Sequence, residues 1–118
     1  MITLKTRAEF IIANTLQIAH SDGCDIEYNG SKIAVSANFV EPNKIDEQPA
    51  FDIASTESRL YIFALLDSEE WKYFLLPTSV IKTTFGKESS VSLELIKPMA
   101  VQTDDDNLRS AVDLVLAA

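Results

Sequence analysis

The side chains that most often carry out chemistry in enzymes are few in this sequence and poorly spaced for it. His20 is the only histidine and Cys24 the only cysteine, so neither a histidine metal site nor a cysteine zinc site within one chain is expected. The sequence contains no Gly-x-Ser-x-Gly elbow and no glycine-rich phosphate loop. Asp104–Asp106 lack the ligand spacing of a calcium loop and fit the start of a helix, where the helix dipole favours acid.

The composition predicts one acidic domain with a hydrophobic core. The chain has 118 residues, 47% of them hydrophobic, and its net charge is −8. This charge disfavours broad attachment to nucleic acid or to an anionic membrane, because such binding relies on clustered Lys and Arg, although a local basic patch stays open. A single cysteine, an N-terminus without the apolar core of a signal peptide and short apolar runs predict a cytoplasmic protein with no membrane partner.

A β-hairpin over Gly23 to Asn38 is the element around which we expect the chain to be organised. Asn29-Gly30 lies between two runs of alternating apolar residues, and this pair readily adopts the positive φ angles of a type I′ turn. Because strand side chains alternate, the second strand should have a polar face and a core face. The polar face would carry Lys32, Ala34, Ser36 and Asn38, and the core face Ile33, Val35, Ala37 and Phe39.

The elements around the hairpin complete an α+β fold, resembling an α/β sandwich, in which helices flank a mixed, largely antiparallel sheet. Thr6 and Glu9 match a capping box, which predicts a first helix over Arg7 to Ser21 that ends at Gly23. The nearly continuous apolar run Leu60 to Leu66 is typical of a central strand covered on both faces. The other predicted elements are an exposed loop over 41–49, a short strand at Phe51 to Ala54, an antiparallel return strand at Trp71 to Leu76, a helix at Pro77 to Gly86, a strand at Ser92 to Ile96 and a final helix that begins at Asp104–Asp106.

The order of these elements resembles the restriction-endonuclease-like fold of the PD-(D/E)XK nuclease superfamily, here as one domain over residues 1–118. The resemblance covers about Arg7 to Ile81. It rests on Ala8-Glu9-Phe10 in the first helix, Cys24-Asp25-Ile26 and Gly30 to Ser36 in the hairpin, and Leu60 to Leu66 followed by Trp71 to Pro77.

The resemblance implies a divalent-metal nuclease site that this sequence does not complete. Members of the superfamily hold the metal with an Asp and a Glu, and a Lys two residues after that Glu helps to activate the attacking water. Asp25 matches the Asp and Glu9 matches the helix glutamate. The central Glu is replaced by Ala34 and the Lys by Ser36, so two groups that carry the catalysis are missing.

Two hypotheses about function follow from this degenerate motif. The first is a non-catalytic protein on a nuclease-like scaffold that binds a protein partner or a second copy of itself and needs no cofactor; the acidic composition suits a basic partner. The alternative is an Mg²⁺-dependent nuclease with displaced residues, in which Asp25 and Glu9 bind the metal and Lys32 replaces the missing lysine. The feature that distinguishes this alternative is a basic surface around Asp25, from Lys32, Lys44, Arg59 and Lys72. Asp22, Glu27 and Asp52 are other candidates for the second carboxylate.

Two residues of the displaced set also have a structural explanation. Lys32 is also explained as a solvated lysine beside a turn, and Asp25 as a hydrogen-bond partner of nearby backbone. An accidental resemblance in a small α+β domain is the third interpretation, and it leaves the fold class unchanged.

Overall fold

The computed structural model of the protein describes residues 3–19, 26–40, 49–53, 58–86 and 88–117. Of the sequence predictions, those on His20, Asp22, Gly23, Cys24, Asp25, Lys44 and most of the loop over 41–49 lie outside these ranges. The helices and strands are α1 Leu4–Thr15, β1 Ile26–Tyr28, β2 Ser31–Phe39, β3 Ala50–Asp52, β4 Leu60–Asp67, β5 Glu70–Pro77, α2 Thr78–Phe85, β6 Ser90–Ser92, α3 Leu93–Ile96, β7 Val101–Asp104 and α4 Leu108–Ala117.

A five-stranded mixed sheet in the order β1-β2-β4-β5-β7 forms the centre of the fold. The β2–β4 pair is parallel, whereas β1–β2, β4–β5 and β5–β7 are antiparallel. β3 and β6 pair antiparallel in a separate small sheet. Helices flank the main sheet, so the predicted α+β class with a largely antiparallel sheet is confirmed.

The hairpin between β1 and β2 closes at the predicted turn. Asn29 and Gly30 have φ angles of 50° and 79°, and Tyr28 pairs with Ser31 across the turn. Positive φ at both central residues is the geometry of a type I′ turn, whose twist matches that of the two strands. The Asn-Gly pair therefore sets the register of β2, and with it which side chains face each side of the sheet.

β4 is the central strand, as the sequence predicts. It lies between β2 and β5, and its residues Leu60 to Leu65 are buried. β5 returns antiparallel through a tight turn in which Ser68 and Glu69 have positive φ angles. Because a strand buried on both faces gains apolar contacts on each side, its sequence is continuously apolar instead of alternating.

Two hydrophobic clusters lie on opposite faces of the sheet. α1 and α4 pack on one face and contribute Ile12 and Val112 to its cluster. α2, α3 and the small β3–β6 sheet cover the other face, where Phe51 and Phe63 meet edge to face. Each large apolar side chain buried in these clusters contributes about 1.5 to 3 kcal/mol to folding. The molecule is therefore three layers deep around β4.

The first helix starts and ends earlier than the sequence predicts. Thr3 is the N-cap, and its side chain accepts a hydrogen bond from the backbone N–H of Thr6. The helix ends at Thr15, and Gln17 has a φ angle of 60°. The prediction of a helix over Arg7 to Ser21 was wrong at both ends: Thr3 caps the helix one turn before Thr6, and the positive φ angle of Gln17 shows that the chain has left the helix by that residue.

Two predictions near the C-terminus were also wrong. Leu93–Ile96 forms a helical turn, and only Ser90–Ser92 is a strand, because Leu93 and Ile96 are three residues apart and both bury their side chains on one helical face. Asp104 ends β7 instead of starting a helix. Its Oδ1 accepts hydrogen bonds from the backbone N–H and Nδ2 of Asn107, so the acidic run forms the turn that precedes α4.

The C-terminal helix packs on its own sheet. Leu108, Ala111 and Val112 are buried among residues of the sheet and α1. Arg109 also donates a hydrogen bond to Gln17, which connects α4 with the end of α1. Among the residues that the structure describes, no helix is both long and apolar enough to cross a lipid bilayer.

Candidate functional site

Glu9 and Lys32, two of the residues suggested by the nuclease resemblance, lie on opposite sides of the sheet. Glu9 lies on α1, which packs against the face of β2 that carries Ile33 and Val35. Lys32 lies on the opposite face of β2, because strand side chains alternate. Glu27 is directly opposite Lys32 in the hairpin register, and both residues are exposed. Asp25 lies outside the described residues, so its place in such a site stays a prediction.

The two positions that correspond to the missing Glu and Lys point into a packed layer. Ala34 pairs in register with Tyr61 and packs against the cluster around Phe63. Ser36 pairs with Phe63 and is only 6% exposed. The expectation of one polar face and one core face on β2 was wrong for this part of the strand, because the small β3–β6 sheet and the aromatic residues of β4 bury Ser36 and pack against Ala34.

Asn38 holds the small β3–β6 sheet in place over β2. Its Nδ2 donates a hydrogen bond of 2.6 Å to the backbone carbonyl of Ala50, which is the first residue of β3. Its Oδ1 accepts from the N–H of Phe39. The polar side chain on this face therefore anchors β3 across β2 and does not face a substrate cleft.

The described residues on this face do not fit an Mg²⁺ site. Mg²⁺ prefers several oxygen ligands in a near-octahedral arrangement. Ala34 supplies no oxygen from its side chain, and in the described ranges no three acidic, histidine or cysteine side chains form a group that could hold a metal ion. Asp52, one of the proposed second carboxylates, lies at the end of β3 in the small sheet.

A cavity of about 470 Å³ lies at the opposite end of the sheet from the β4–β5 turn. It opens where β4 begins, β5 ends, α2 begins and α4 ends. Two cationic side chains, three hydroxyl side chains and three apolar residues line it, and no acidic side chain is among these lining residues. They are Ser58, Arg59, Pro77, Thr78, Ser79, Lys82, Val115 and Leu116.

Arg59 is the most firmly positioned of the cavity residues. Its backbone N–H donates to the carbonyl oxygen of Lys32 over 2.9 Å, and its own carbonyl oxygen accepts from the N–H of Thr78 over 3.0 Å. Nη1 donates to the hydroxyl of Ser31 over 3.3 Å, and Nη2 lies 3.5 Å from the carbonyl oxygen of Leu116. β2 and α4 therefore hold the guanidinium at the rim of the cavity, while backbone hydrogen bonds to β2 and α2 fix the backbone of Arg59.

α2 brings the second cation and most of the hydroxyl groups. Pro77 is its N-cap and provides no side-chain hydrogen bond to the first turn. Thr78 is 4% exposed, and its hydroxyl lies 3.1 Å from that of Ser58. Ser79 and Lys82 are exposed on the same helix, with Lys82 one turn beyond Thr78. The start of this helix therefore presents positive charge and hydroxyl groups to the cavity.

Arg59 was predicted from the sequence as part of a basic surface, but Lys82 was not. Lys32 and Arg59 were predicted to share a basic surface, and the structure places their backbones next to each other. Lys72 was predicted there too, but it lies near the start of β5, about 16 Å of strand away from Pro77, and pairs with Asp67 over 3.2 Å. Lys82 was missed, because nothing in its spacing from Arg59 indicates that α2 begins beside β4.

A smaller, acidic cavity of about 310 Å³ lies at the other end of β5, beside the β4–β5 turn. The buried Tyr73 donates a hydrogen bond of 2.5 Å from its hydroxyl to Oδ1 of Asp105, one of the residues that line it. Burial first, and then this carboxylate, raise the pKa of Tyr73 far above its usual range. The tyrosine stays neutral as a structural donor. The lining residues of this cavity are Glu69, Glu70, Trp71, Asp104, Asp105 and Asp106.

Comparison of the chain with protein-family models and with curated proteins finds no match to either.

Proposed function

We propose that this protein has no catalytic role and works in the cytoplasm by binding another macromolecule, on a scaffold that resembles the restriction-endonuclease-like fold. The observation that supports this proposal best is the burial of Ser36, at the position of the catalytic lysine. A hydrolytic site needs its acidic and basic groups around a space that admits substrate and water. On this face of β2, aromatic side chains occupy that space.

The surface of the protein favours a protein partner over nucleic acid. A net charge of −8 repels phosphate backbones over most of the surface. Several large apolar side chains are nevertheless exposed, among them Leu95, Met99 and Val101 within seven residues of each other. Exposed apolar side chains of this size contribute to protein interfaces, where charged residues are depleted from the core of the contact.

Self-association through the C-terminal helix would need an exposed apolar side chain on α4. Most apolar residues of α4 are committed to the hydrophobic cluster on their own sheet. Leu114 is the large apolar side chain of α4 outside this cluster, with 67% of its surface exposed. A dimer contact built on α4 would therefore be centred on Leu114, whereas a contact built on α3 would be centred on Leu95.

Sedimentation velocity on three forms of the protein tests this proposal and separates the two surfaces. The forms are the wild type, Leu114→Gln and Leu95→Gln, which exchange the same side chain at two exposed sites. We expect the wild type to sediment as a dimer or to co-purify with a partner from its native cell extract, and one variant to lose that association. A strictly monomeric wild type with no co-purifying partner contradicts the proposal.

A further inference from the structure

We propose that the cavity between Arg59 and Lys82 is a binding site for a phosphate monoester of a small organic molecule. This ligand site is additional to the macromolecular binding proposed above and does not depend on it. Its strongest support is the contrast between the cavity and the rest of the chain: the net charge of the protein is −8, yet the described residues that line this cavity include two cations and no acid. Such a local reversal of charge attracts anions into a concave site.

The number of charges and donors suits a phosphate better than a carboxylate. A guanidinium and an ammonium together match the double negative charge of a phosphate monoester near neutral pH. Arg59 carries five N–H donors, of which Ser31 and Leu116 accept two. Lys82 adds three donors and Ser79 a hydroxyl. A monoester presents three terminal oxygens to these groups, whereas a carboxylate presents two.

The start of α2 reinforces the positive potential. Helix N-termini carry a partial positive charge and orient backbone N–H groups outward, which favours phosphate groups. Pro77 precedes the helix without a side-chain cap, and the N–H of Thr78 donates to the carbonyl oxygen of Arg59, so the first turn of α2 is held beside this cation. Ser79, in this first turn, lines the cavity together with both cations.

The size and the apolar wall of the cavity indicate an organic phosphate and not inorganic phosphate alone. About 470 Å³ falls within the usual range for small-molecule sites, and a phosphate group fills only a part of it. Pro77, Val115 and Leu116 line the remaining space with apolar surface. An aryl or alkyl group attached to the phosphate would contact these residues while the phosphate contacts the cations.

Isothermal titration calorimetry with three probes tests the assignment. Phenyl phosphate has both the anion and an apolar ring, benzoate replaces the phosphate by a carboxylate, and inorganic phosphate lacks the ring. We expect phenyl phosphate to bind about tenfold more tightly than either of the others. The assignment is overturned if phenyl phosphate gives no saturable heat at about 1 mM, or if benzoate or inorganic phosphate binds as tightly as phenyl phosphate.

Charge-removing variants locate the binding to this cavity. Lys82→Gln should weaken phenyl phosphate binding about tenfold, while Lys97→Gln, which removes another exposed lysine outside the cavity, should leave it unchanged. Arg59→Lys keeps the charge but loses the planar fork, so its affinity should also fall. Equal binding by the wild type and Lys82→Gln overturns the assignment. These experiments measure the binding of a small molecule, so their outcome does not depend on whether a macromolecular partner is found.

Discussion

The backbone N–H of Thr78 donates a hydrogen bond to the carbonyl oxygen of Arg59 over 3.0 Å. This bond joins the first residue of α2 to the residue before β4. It holds the two sides of the basic cavity together, although the two residues are 19 positions apart in the sequence. The cavity is therefore a product of how β4 and β5 pair, since that pairing brings Leu60 opposite Pro77.

Burial of Ser36 predicts that restoring a nuclease-like lysine there will destabilise the fold. Ser36→Lys places an ammonium group at a position that is 6% exposed and lies beside Phe63 in the sheet. An uncompensated buried charge costs about 3 to 5 kcal/mol. We expect the free energy of unfolding, measured by urea denaturation, to fall by this amount.

Gln102→Lys is the matched control for that experiment. It introduces the same side chain on an exposed position of the edge strand β7, where a lysine stays hydrated. Its free energy of unfolding should stay within about 0.5 kcal/mol of the wild type. If Ser36→Lys is tolerated as well as Gln102→Lys, that face of β2 is open and the argument from burial is wrong.

The hydrogen bond from Tyr73 to Asp105 predicts a stability loss in Tyr73→Phe. The substitution keeps the buried ring and removes only the hydroxyl donor. A hydrogen bond to a charged acceptor contributes about 1.5 to 3 kcal/mol, and the exposed Asp105 recovers a part of that by hydration. We expect a loss of about 1 to 2 kcal/mol at neutral pH. An unchanged midpoint in urea would show that the bond adds nothing to folding.

Tyr73 also predicts a specific loss of stability in alkali. Its pKa in the folded protein is raised, first by burial and then by Asp105, whereas in the unfolded chain it is about 10. Below pH 10 both states hold the proton, so its contribution is fully present. Above pH 10 the unfolded state loses the proton first, and stability falls by up to about 1.4 kcal/mol per pH unit.

Comparison with Tyr73→Phe isolates this effect from other groups that titrate in alkali. The variant lacks the phenol, so its free energy of unfolding should fall less steeply between about pH 10 and 11 than that of the wild type. Urea denaturation at closely spaced pH values measures both slopes. Identical slopes in the two proteins would mean that Tyr73 ionises equally in the folded and unfolded states.

The type I′ turn predicts opposite outcomes for two neighbouring substitutions. Gly30 has a φ angle of 79° and open space where a Cβ atom would lie, so Gly30→Ala meets conformational strain without a clash. We expect it to lower the free energy of unfolding by about 1 to 2 kcal/mol. Asn29→Gly suits the φ angle of 50° at this position. It should change the free energy of unfolding by a few tenths of a kcal/mol at most. Equal effects of the two substitutions in thermal denaturation would contradict the turn assignment.

Local signals in the sequence were sufficient to predict the hairpin and the central strands. The Asn29-Gly30 pair specifies its turn through backbone sterics alone, and the apolar run from Leu60 to Leu66 requires burial on both faces. Short segments were less predictable. Val91, Leu93 and Leu95 alternate like a strand, yet Leu93 and Ile96 are buried on one helical turn, and periodicity cannot separate the two over so few residues.

The candidate sites depend on contacts that the sequence does not encode locally. The sequence indicated a polar face on β2, but whether Ser36 is exposed depends on where β3 lies, ten or more residues further on. Arg59 and Leu116 meet at the basic cavity across 57 positions. No spacing rule connects such residues, because their proximity follows from strand pairing and from the packing of α4 on the sheet.

The most direct test of the non-catalytic proposal is a plasmid-nicking time course with Mg²⁺ and then with Mn²⁺. The wild type, Asp25→Asn and Lys32→Ala are purified identically and compared at equal concentration. The proposal predicts that none of the three nicks the plasmid above the buffer control. Cleavage by the wild type that is lost in Asp25→Asn would contradict it, and would identify a metal-dependent nuclease whose residues have been displaced.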